Sequence, residues 1–472
     1  MQIVETSRSR FRKDLLVLLV AVFLELSGSL SAQPAKRALV ISLDGLDVRY
    51  LAESDKYGLK IPALRSLMKN GVTSRGVYSV YPSVTYPNHT SLVTAVPPSK
   101  HGIVGNGIFE PPDKKPTEAW YWYARDIKAD TLWQAAKRSG KTVGMASWPV
   151  GIGAGDWNVP EIWAVDSNPL TRILLTRKVM SQNSLPQGLL EEIEKKVPGL
   201  YGKVTRDEGD DMRTSIAEYI LTEKRPDLML VHLVDLDHFE HDFGPFTPEA
   251  VTMLEKSDAY VARLLDALKR AGTLDETAIF ITSDHGFQPI SRQLHPGVLL
   301  KNAGLVDSKT EKDESGKEQN VITSWKAAVY VNGASCAIYL KDPNDKESLK
   351  KLRGIFDPLA GRPDSGIRRV LGPEDLERLG SNTAAVMMLD PAEGFTFGSS
   401  YFGEYNVPSR SKGMHGYLPS TPDFLASFVA SGVGVSRRGW TDKMDMTDAG
   451  ATIASAMGLT LKGASGRPAR LR

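Results

Sequence analysis

Short apolar runs that end in Gly, Asp or Pro alternate along this chain with longer segments whose apolar residues recur every three to four positions. Runs of the first kind, at 38–43, 77–80, 142–146, 228–234 and 278–282, predict strands covered on both faces. Segments 62–69, 131–138, 212–222 and 248–270 predict helices. In the last of these, Val251, Leu254, Val261, Leu264, Leu265 and Leu268 make one apolar stripe, and Gly272 stands where it would end. The alternation predicts an α/β fold, doubly wound, with a mostly parallel central sheet flanked by helices. After His285 the pattern changes. Residues 307–320 contain no aliphatic or aromatic side chain and predict a solvated loop. Asn332-Gly333 between the apolar runs 327–331 and 336–340 predicts a hairpin with a two-residue turn. Residues 290–410 read as a small inserted cap. Segments 33–289 and 411–472 then form the main domain, closed by a strand at 424–429 and a helix at 447–457.

Composition narrows the class. The 472 residues are 41% hydrophobic and 24% charged, with 58 Lys and Arg against 56 Asp and Glu, so a highly basic nucleic-acid-coating protein and an acidic disordered tail are both excluded, and no nucleic-acid-binding surface is evident. A mean hydropathy of −0.23 excludes a polytopic membrane protein. At the amino end, Arg8, Arg10, Arg12 and Lys13 precede an apolar run at 15–24, and small residues follow at 29–32. This predicts a secretory signal peptide over 1–32, with an uncleaved anchor helix as the alternative. The expected location is a bacterial periplasm or the secreted fraction, with no stable membrane insertion after cleavage. The single cysteine, Cys336, can form no internal disulfide, which fits that compartment. Nothing in the pattern speaks to oligomeric state.

Four separate places put an acid, a histidine or a hydroxyl at or just after the end of an apolar strand: Asp44, Thr85, Asp237 with His241, and Asp284 with His285. Open α/β sheets bind ligands at the carboxyl ends of their strands, so these residues can converge although far apart in sequence. Carboxylates mixed with imidazoles suit zinc or another divalent ion of intermediate hardness. The spacing of Asp237 and His241 lets both face one ion from a helical turn or a tight loop, and Asp235 with His238 satisfies spacing as well. Each residue alone has a plainer reading: an Asp after a strand as a turn or helix cap, and Asn106 as a turn residue between two glycines.

Taken together and in order, the motifs are those of a known group. Asp44-Gly45, Thr85-Tyr-Pro-Asn88, His101-Gly-Ile-Val-Gly-Asn106, Asp237-x-x-x-His241-x-x-Gly244-Pro245, Asp284-His285-Gly286 and Gly413-Met-His415-Gly-Tyr make the chain resemble the alkaline phosphatase superfamily. Within it, the resemblance is to the nucleotide pyrophosphatase/phosphodiesterase family. That resemblance implies two zinc ions per chain, or other divalent ions. Asp44, Asp284 and His285 would hold one beside the Thr85 oxygen, and Asp237, His241 and His415 the other. It implies a hydrolase of small phosphate esters, most simply a phosphodiesterase working through a phospho-threonine intermediate on Thr85. Asn106 and the Tyr86 N–H would donate to a phosphoryl oxygen.

The chain departs from the family where specificity is set. Members that split nucleotides commonly carry a tyrosine five residues before the aspartate of Asp-x-x-x-His; here that residue is His232. The aromatic run Trp120-Tyr-Trp-Tyr123 predicts either packing against the cap or a leaving-group pocket. His89, His101, His232 and His295 are expected to be structural or to support the ligands. An alkaline phosphomonoesterase or phosphonate hydrolase on the same scaffold is the alternative enzyme. A metal-binding scaffold without turnover is the non-enzymatic one.

Overall fold

The computed structural model describes residues 34–165, 168–201, 209–312 and 315–472; the expected signal peptide lies outside them. At the centre is an eight-stranded sheet. Its order is Gly439–Thr441, Val72–Ser74, Phe428–Gly432, Thr277–Thr282, Arg37–Leu43, Leu228–Leu233, Val143–Ala146 and Trp157–Val159. Neighbours run parallel except Phe428–Gly432, which is antiparallel to both strands beside it.

The period-two alternation of the central strands divides the interior. Leu39, Ile41 and Leu43, with Met229, Val231, Leu233, Ile279 and Ile281, face one apolar cluster. Ala38 and Val40, with Leu228, Leu230, Ala278 and Phe280, face the other. Helices Pro62–Lys69, Leu189–Lys196, Asp210–Tyr219 and Pro248–Ala271 cover the first face. Helices Thr85–Thr94, Leu132–Arg138 and Met446–Ala456 cover the second. The apolar stripe predicted on the long helix is real at Leu254, Val261, Leu264 and Leu268, all buried, while Val251 and Leu265 pack at its border. Each fully buried aliphatic side chain there contributes about 1.5–3 kcal/mol.

Residues beyond 290 build separate sheets. A four-stranded antiparallel one, ordered Ala327–Asn332, Ser335–Leu340, Met387–Pro391 and Ile367–Leu371, has its own apolar cluster around Cys336, Ile338, Leu352, Phe356, Met387 and Leu389. The predicted hairpin is present, but Asn332 pairs with Ser335, so the turn itself is Gly333-Ala334, one residue later than expected.

Three further expectations change. The predicted loop 307–320 is largely an antiparallel ribbon, Val306–Lys312 against Glu318–Trp325. Most of its side chains face water, and backbone pairing is supplemented by the cross-strand bonds of Thr310 Oγ1 to Asn320 Oδ1 at 3.0 Å and Ser324 Oγ to Asp307 Oδ2 at 2.6 Å. Val77–Tyr78 pairs with Met444–Asp445, outside the central sheet. The strand expected at 424–429 is Phe428–Gly432.

Candidate metal and catalytic site

The sheet order explains why the predicted residues meet. Arg37–Leu43 lies between Thr277–Thr282 and Leu228–Leu233, all parallel, so the segments that follow these three strands open on one edge. Asp44 follows the first, Asp284 and His285 the second. Asp237 and His241 ride on the helix Asp235–Phe243, which starts after the third and puts them one turn apart on one face. His415 arrives from Gly413–Met414, paired to Gln288–Leu294 just beyond His285. Thr85 is the first residue of the helix Thr85–Thr94.

Two groups of ligand atoms, each within 4.8 Å of one another, occur here among the described residues: Asp237 with His241 and His415, and Asp44 with Asp237 and His285. The first coincides with a predicted set. The second shares Asp237 with it, and Asp284 Oδ2 lies 3.0 Å from His285 Nε2. All six expected ligands are therefore in one place, with Asp237 in the middle.

The hydrogen bonding shows what the cluster lacks. His241 donates its Nδ1–H to the Gly413 carbonyl at 3.0 Å, and His415 donates its own to the Ser83 carbonyl at 3.2 Å. Each therefore turns Nε2 toward Asp237 Oδ1, at 3.5 Å in both cases. One carboxylate oxygen and two imidazole nitrogens thus converge on the same point, the arrangement that holds a divalent ion. Asp44 Oδ1, Asp237 Oδ1, Asp284 Oδ2 and both ring nitrogens of His285 are buried without hydrogen-bond partners. Two ligands each about 2.0–2.1 Å from a tetrahedral zinc stand roughly 3.4 Å apart, close to the 3.0–3.5 Å separations found here. Carboxylate and imidazole donors, orphaned and converging, fit divalent metal ions.

Burial and neighbouring charge set the proton affinities. Burial raises the Asp237 carboxyl to about 6, His241 offsetting part of it. Burial would raise Asp44 too, but the hydrogen bond from His232 and the adjacent His285 ring, 3.2 Å away, outweigh it and hold Asp44 well below the usual carboxylate range. His415 is pushed down by burial and by the His285 and His241 rings, so its lone pair stays free.

Beside the nucleophile candidate, the Tyr86 N–H donates to Asn106 Oδ1 at 2.9 Å. That bond uses the backbone donor expected to serve a phosphoryl oxygen, and leaves the Asn106 Nδ2 as the amide donor. Tyr86 Oη donates to Glu161 Oε1 at 3.1 Å, Glu161 Oε2 lies 3.0 Å from His232 Nδ1, and His232 Nε2 lies 3.1 Å from Asp44 Oδ2. His232 is thus fully buried and holds a ligand. Two carboxylates raise its pKa to about 10 against the effect of burial. Glu161 has no signal in the sequence, since its partners lie 71 and 75 positions away.

The competing candidates have other work. Asp235 accepts from the Gly209 and Asp210 N–H groups while Asp210 accepts from Val234 and Asp235, and Arg213 pairs with both carboxylates. This reciprocal capping fixes the start of the helix that carries Asp237 and His241. His89 lies 2.9 Å from the Thr85 carbonyl and 2.8 Å from Ser42 Oγ, and is structural as expected. Trp120 and Trp122 pack on Tyr86 and Trp163, not into the apolar cluster of the four-stranded sheet.

Comparison with known proteins agrees with this geometry. The sequence model for "Type I phosphodiesterase / nucleotide pyrophosphatase" matches residues 38–418. Human ectonucleotide pyrophosphatase/phosphodiesterase family member 5 is 28% identical over 287 residues, 60% of this chain and 51% of its own. Human family member 1 is 25% identical over 261 residues, 53% of this chain and 23% of its own. The matches thus span about half or less of these relatives. The solved structure of murine family member 5 superposes with a TM-score of 0.61 at 22% identity, covering 91% of this chain and 97% of that one. An inactive threonine-to-alanine form of the same murine protein, in complex with AMP, superposes equally well, with a TM-score of 0.61. The chain therefore belongs to the type I phosphodiesterase/nucleotide pyrophosphatase family of the alkaline phosphatase superfamily and has its α/β fold.

Proposed function

We propose that this protein is a zinc-dependent hydrolase of small phosphate diesters, with Thr85 as nucleophile and two ions held by Asp44, Asp284, His285, Asp237, His241 and His415. The observation that carries this reading is the set of buried oxygens and nitrogens without partners at the mouth of the central sheet, which meets the Thr85 backbone through His89, 2.9 Å from the Thr85 carbonyl and 3.7 Å from Asp284 Oδ2. When bound, the ions supply Lewis acidity at the attacking and leaving oxygens.

The chain's own residues do the rest. Thr85, at a helix N-terminus, presents its hydroxyl where the helix favours negative charge. Thr85 Oγ1 attacks phosphorus; the Oγ1–P bond forms as the bond to the leaving oxygen breaks, and the hydroxyl proton passes through solvent to that oxygen, which departs as the alcohol. Water then cleaves the Oγ1–P bond, returning a proton to Thr85 and releasing the phosphate monoester. Asn106 Nδ2 donates to a phosphoryl oxygen. His241 and His415 keep their Nε2 atoms turned inward because two backbone carbonyls hold their Nδ1 protons.

Diesters suit the site better than monoesters. The strand Val143–Ala146 is followed by Ser147 and Trp148, both buried, and not by the cations that would balance a dianionic phosphate. His232, being buried, offers no surface to a nucleobase. The half-buried indoles of Trp120 and Trp122 pack on Tyr86, the residue after the nucleophile, and Trp163 packs on both, which makes them an aromatic surface for a substrate. A murine relative was solved with AMP, which makes a nucleotide diester the first substrate to try. The apolar run before residue 34 supports export, and among the described residues no helix is long and apolar enough to cross a membrane. Residues 290–410 form the cap in this reading.

The test compares the zinc-loaded protein on a p-nitrophenyl nucleotide diester and on p-nitrophenyl phosphate. Faster diester hydrolysis is expected; a tenfold or greater preference for the monoester overturns the assignment.

A further inference from the structure

The hairpin turn of the four-stranded sheet reaches into the site from the far side of the chain and touches it in two places. Asn332 Oδ1 accepts the Asn106 N–H at 3.2 Å, and the adjacent Tyr330 hydroxyl donates to the Gly107 carbonyl. Gly105 completes this seat: a Cβ there would collide with the Tyr330 hydroxyl and Asn332 Oδ1, so only glycine lets the loop lie this close. Two residues on, the Ala334 N–H donates to the His415 carbonyl at 2.7 Å. Gly333 between them has φ +56°, and a Cβ on it would strike the same His415 carbonyl.

The turn is itself held from behind. Ser335 Oγ donates to the Asn332 carbonyl at 2.8 Å, and Thr396 Oγ1 to the Gly333 carbonyl at 3.2 Å. Asn332 is 7% exposed, so its side chain is committed inward. One rigid turn therefore bears on the loop of the phosphoryl-oxygen donor and on the backbone of a ligand. These two are 309 residues apart in sequence, and no shorter connection between them exists along the chain.

We propose that the turn 332–334 positions both halves of the site: Asn332 holds Asn106 where its Nδ2 meets the phosphoryl oxygen, and Gly333-Ala334 sets the His415 backbone so that Nε2 points at the metal. The inserted sheet is then part of the catalytic apparatus rather than only a cover. Asn332 touches no reacting atom and is a positioning residue; its effect passes through Asn106. The proposal rests on the two-metal diesterase reading above.

The experiment uses the full-length zinc-loaded protein and a p-nitrophenyl nucleotide diester. Asn106→Ala is expected to lower kcat about 100-fold. Asn332→Ala is expected to lower kcat about tenfold, with KM and zinc content unchanged. In the Asn106→Ala background it should cost nothing more, because the residue it positions is gone. Asn332→Asp, which keeps the Oδ1 acceptor, is expected to recover kcat to within about threefold. Asn332→Ser, which loses the reach but keeps a polar group in the turn, carries the same expectation as alanine and replaces it if that variant does not fold. Gly333→Ala is read by zinc binding, independently of turnover, and should bind one zinc about tenfold more weakly.

Unchanged kcat in both Asn332→Ala and Asn332→Ser, or a loss that multiplies with that of Asn106→Ala, overturns the role of Asn332. Wild-type zinc affinity in Gly333→Ala overturns the link to His415. Absence of diester hydrolysis by the wild-type protein instead overturns the functional reading beneath both.

Discussion

Replacing Asp237 by Asn should stabilise the protein without metal and destabilise it relative to wild type with metal. Asp237 is buried, its Oδ1 has no hydrogen-bond partner, and its pKa is raised to about 6 from 3.8. A carboxyl whose folded value exceeds its unfolded one contributes stability below pH 3.8 that is lost as pH rises through about 6. At pH 8, with chelator present, the ionised group therefore costs about 3 kcal/mol, which the neutral amide removes. With an unfolding entropy of about 2.1 cal/mol/K per residue over roughly 440 residues, the variant's Tm should rise by about 3 °C. Zinc reverses the order. A thousandfold excess over Kd stabilises wild type by about 4 kcal/mol per site, and Asp237 belongs to both ligand groups, so the variant gains much less. Differential scanning fluorimetry with and without zinc reads both effects. A metal-free variant that melts below wild type refutes the burial argument, and an equal zinc-induced rise in both proteins refutes Asp237 as a ligand.

Asp235→Ala, two residues away, should behave oppositely: the Gly209 and Asp210 N–H groups lose their acceptor and Arg213 one of its two carboxylates, lowering the metal-free Tm by a few degrees, about 3 kcal/mol, while a zinc assay on folded protein still finds both ions. Thr85→Ala should abolish diester turnover and leave zinc content unchanged; hydrolysis retained at more than about 1% would exclude Thr85 as the nucleophile. Trp122→Ala should raise KM for an aromatic nucleotide diester more than for a dialkyl diester, and equal effects on both would remove the indoles from the binding surface. His101 is held neutral, its pKa lowered to about 3 by burial, with Ser91 Oγ on Nε2 and the Ile103 N–H on Nδ1. Its contribution is present above pH 6.5 and is lost as pH falls toward 3, amounting to about 5 kcal/mol. Acid titration of metal-free protein should therefore show a shallower loss of stability in His101→Gln, and an unchanged slope would contradict the assignment.

Much of the site was legible because the chemistry sits where a local signal ends. Asp44, Asp284 and His285 each come at or just after the end of a short, mostly apolar run, and parallel pairing puts those ends together without long-range information. Asp237 and His241 needed only their spacing, which the structure resolves as one turn of helix. Asn106 was legible only through the family motif, since between two glycines it reads as a turn. What escaped the sequence depends on contacts without local pattern. The ribbon Val306–Lys312 with Glu318–Trp325 has almost no buried face, so the alternation that marks a strand is missing. Glu161 meets His232, and Asn332 meets Asn106, across 71 and 226 residues, and neither pair has a spacing to read. The hairpin at 327–340 was visible, but its register slipped by one because Asn332 extends the strand instead of entering the turn.

The central claim, that catalysis requires metal ions in this acid and histidine cluster, is tested most directly by titrating chelator-treated protein with zinc while following hydrolysis of a p-nitrophenyl nucleotide diester. Activity should start near zero and rise to a plateau that breaks at two zinc ions per chain. Full activity in the stripped protein, or a plateau reached without bound zinc, would contradict the account.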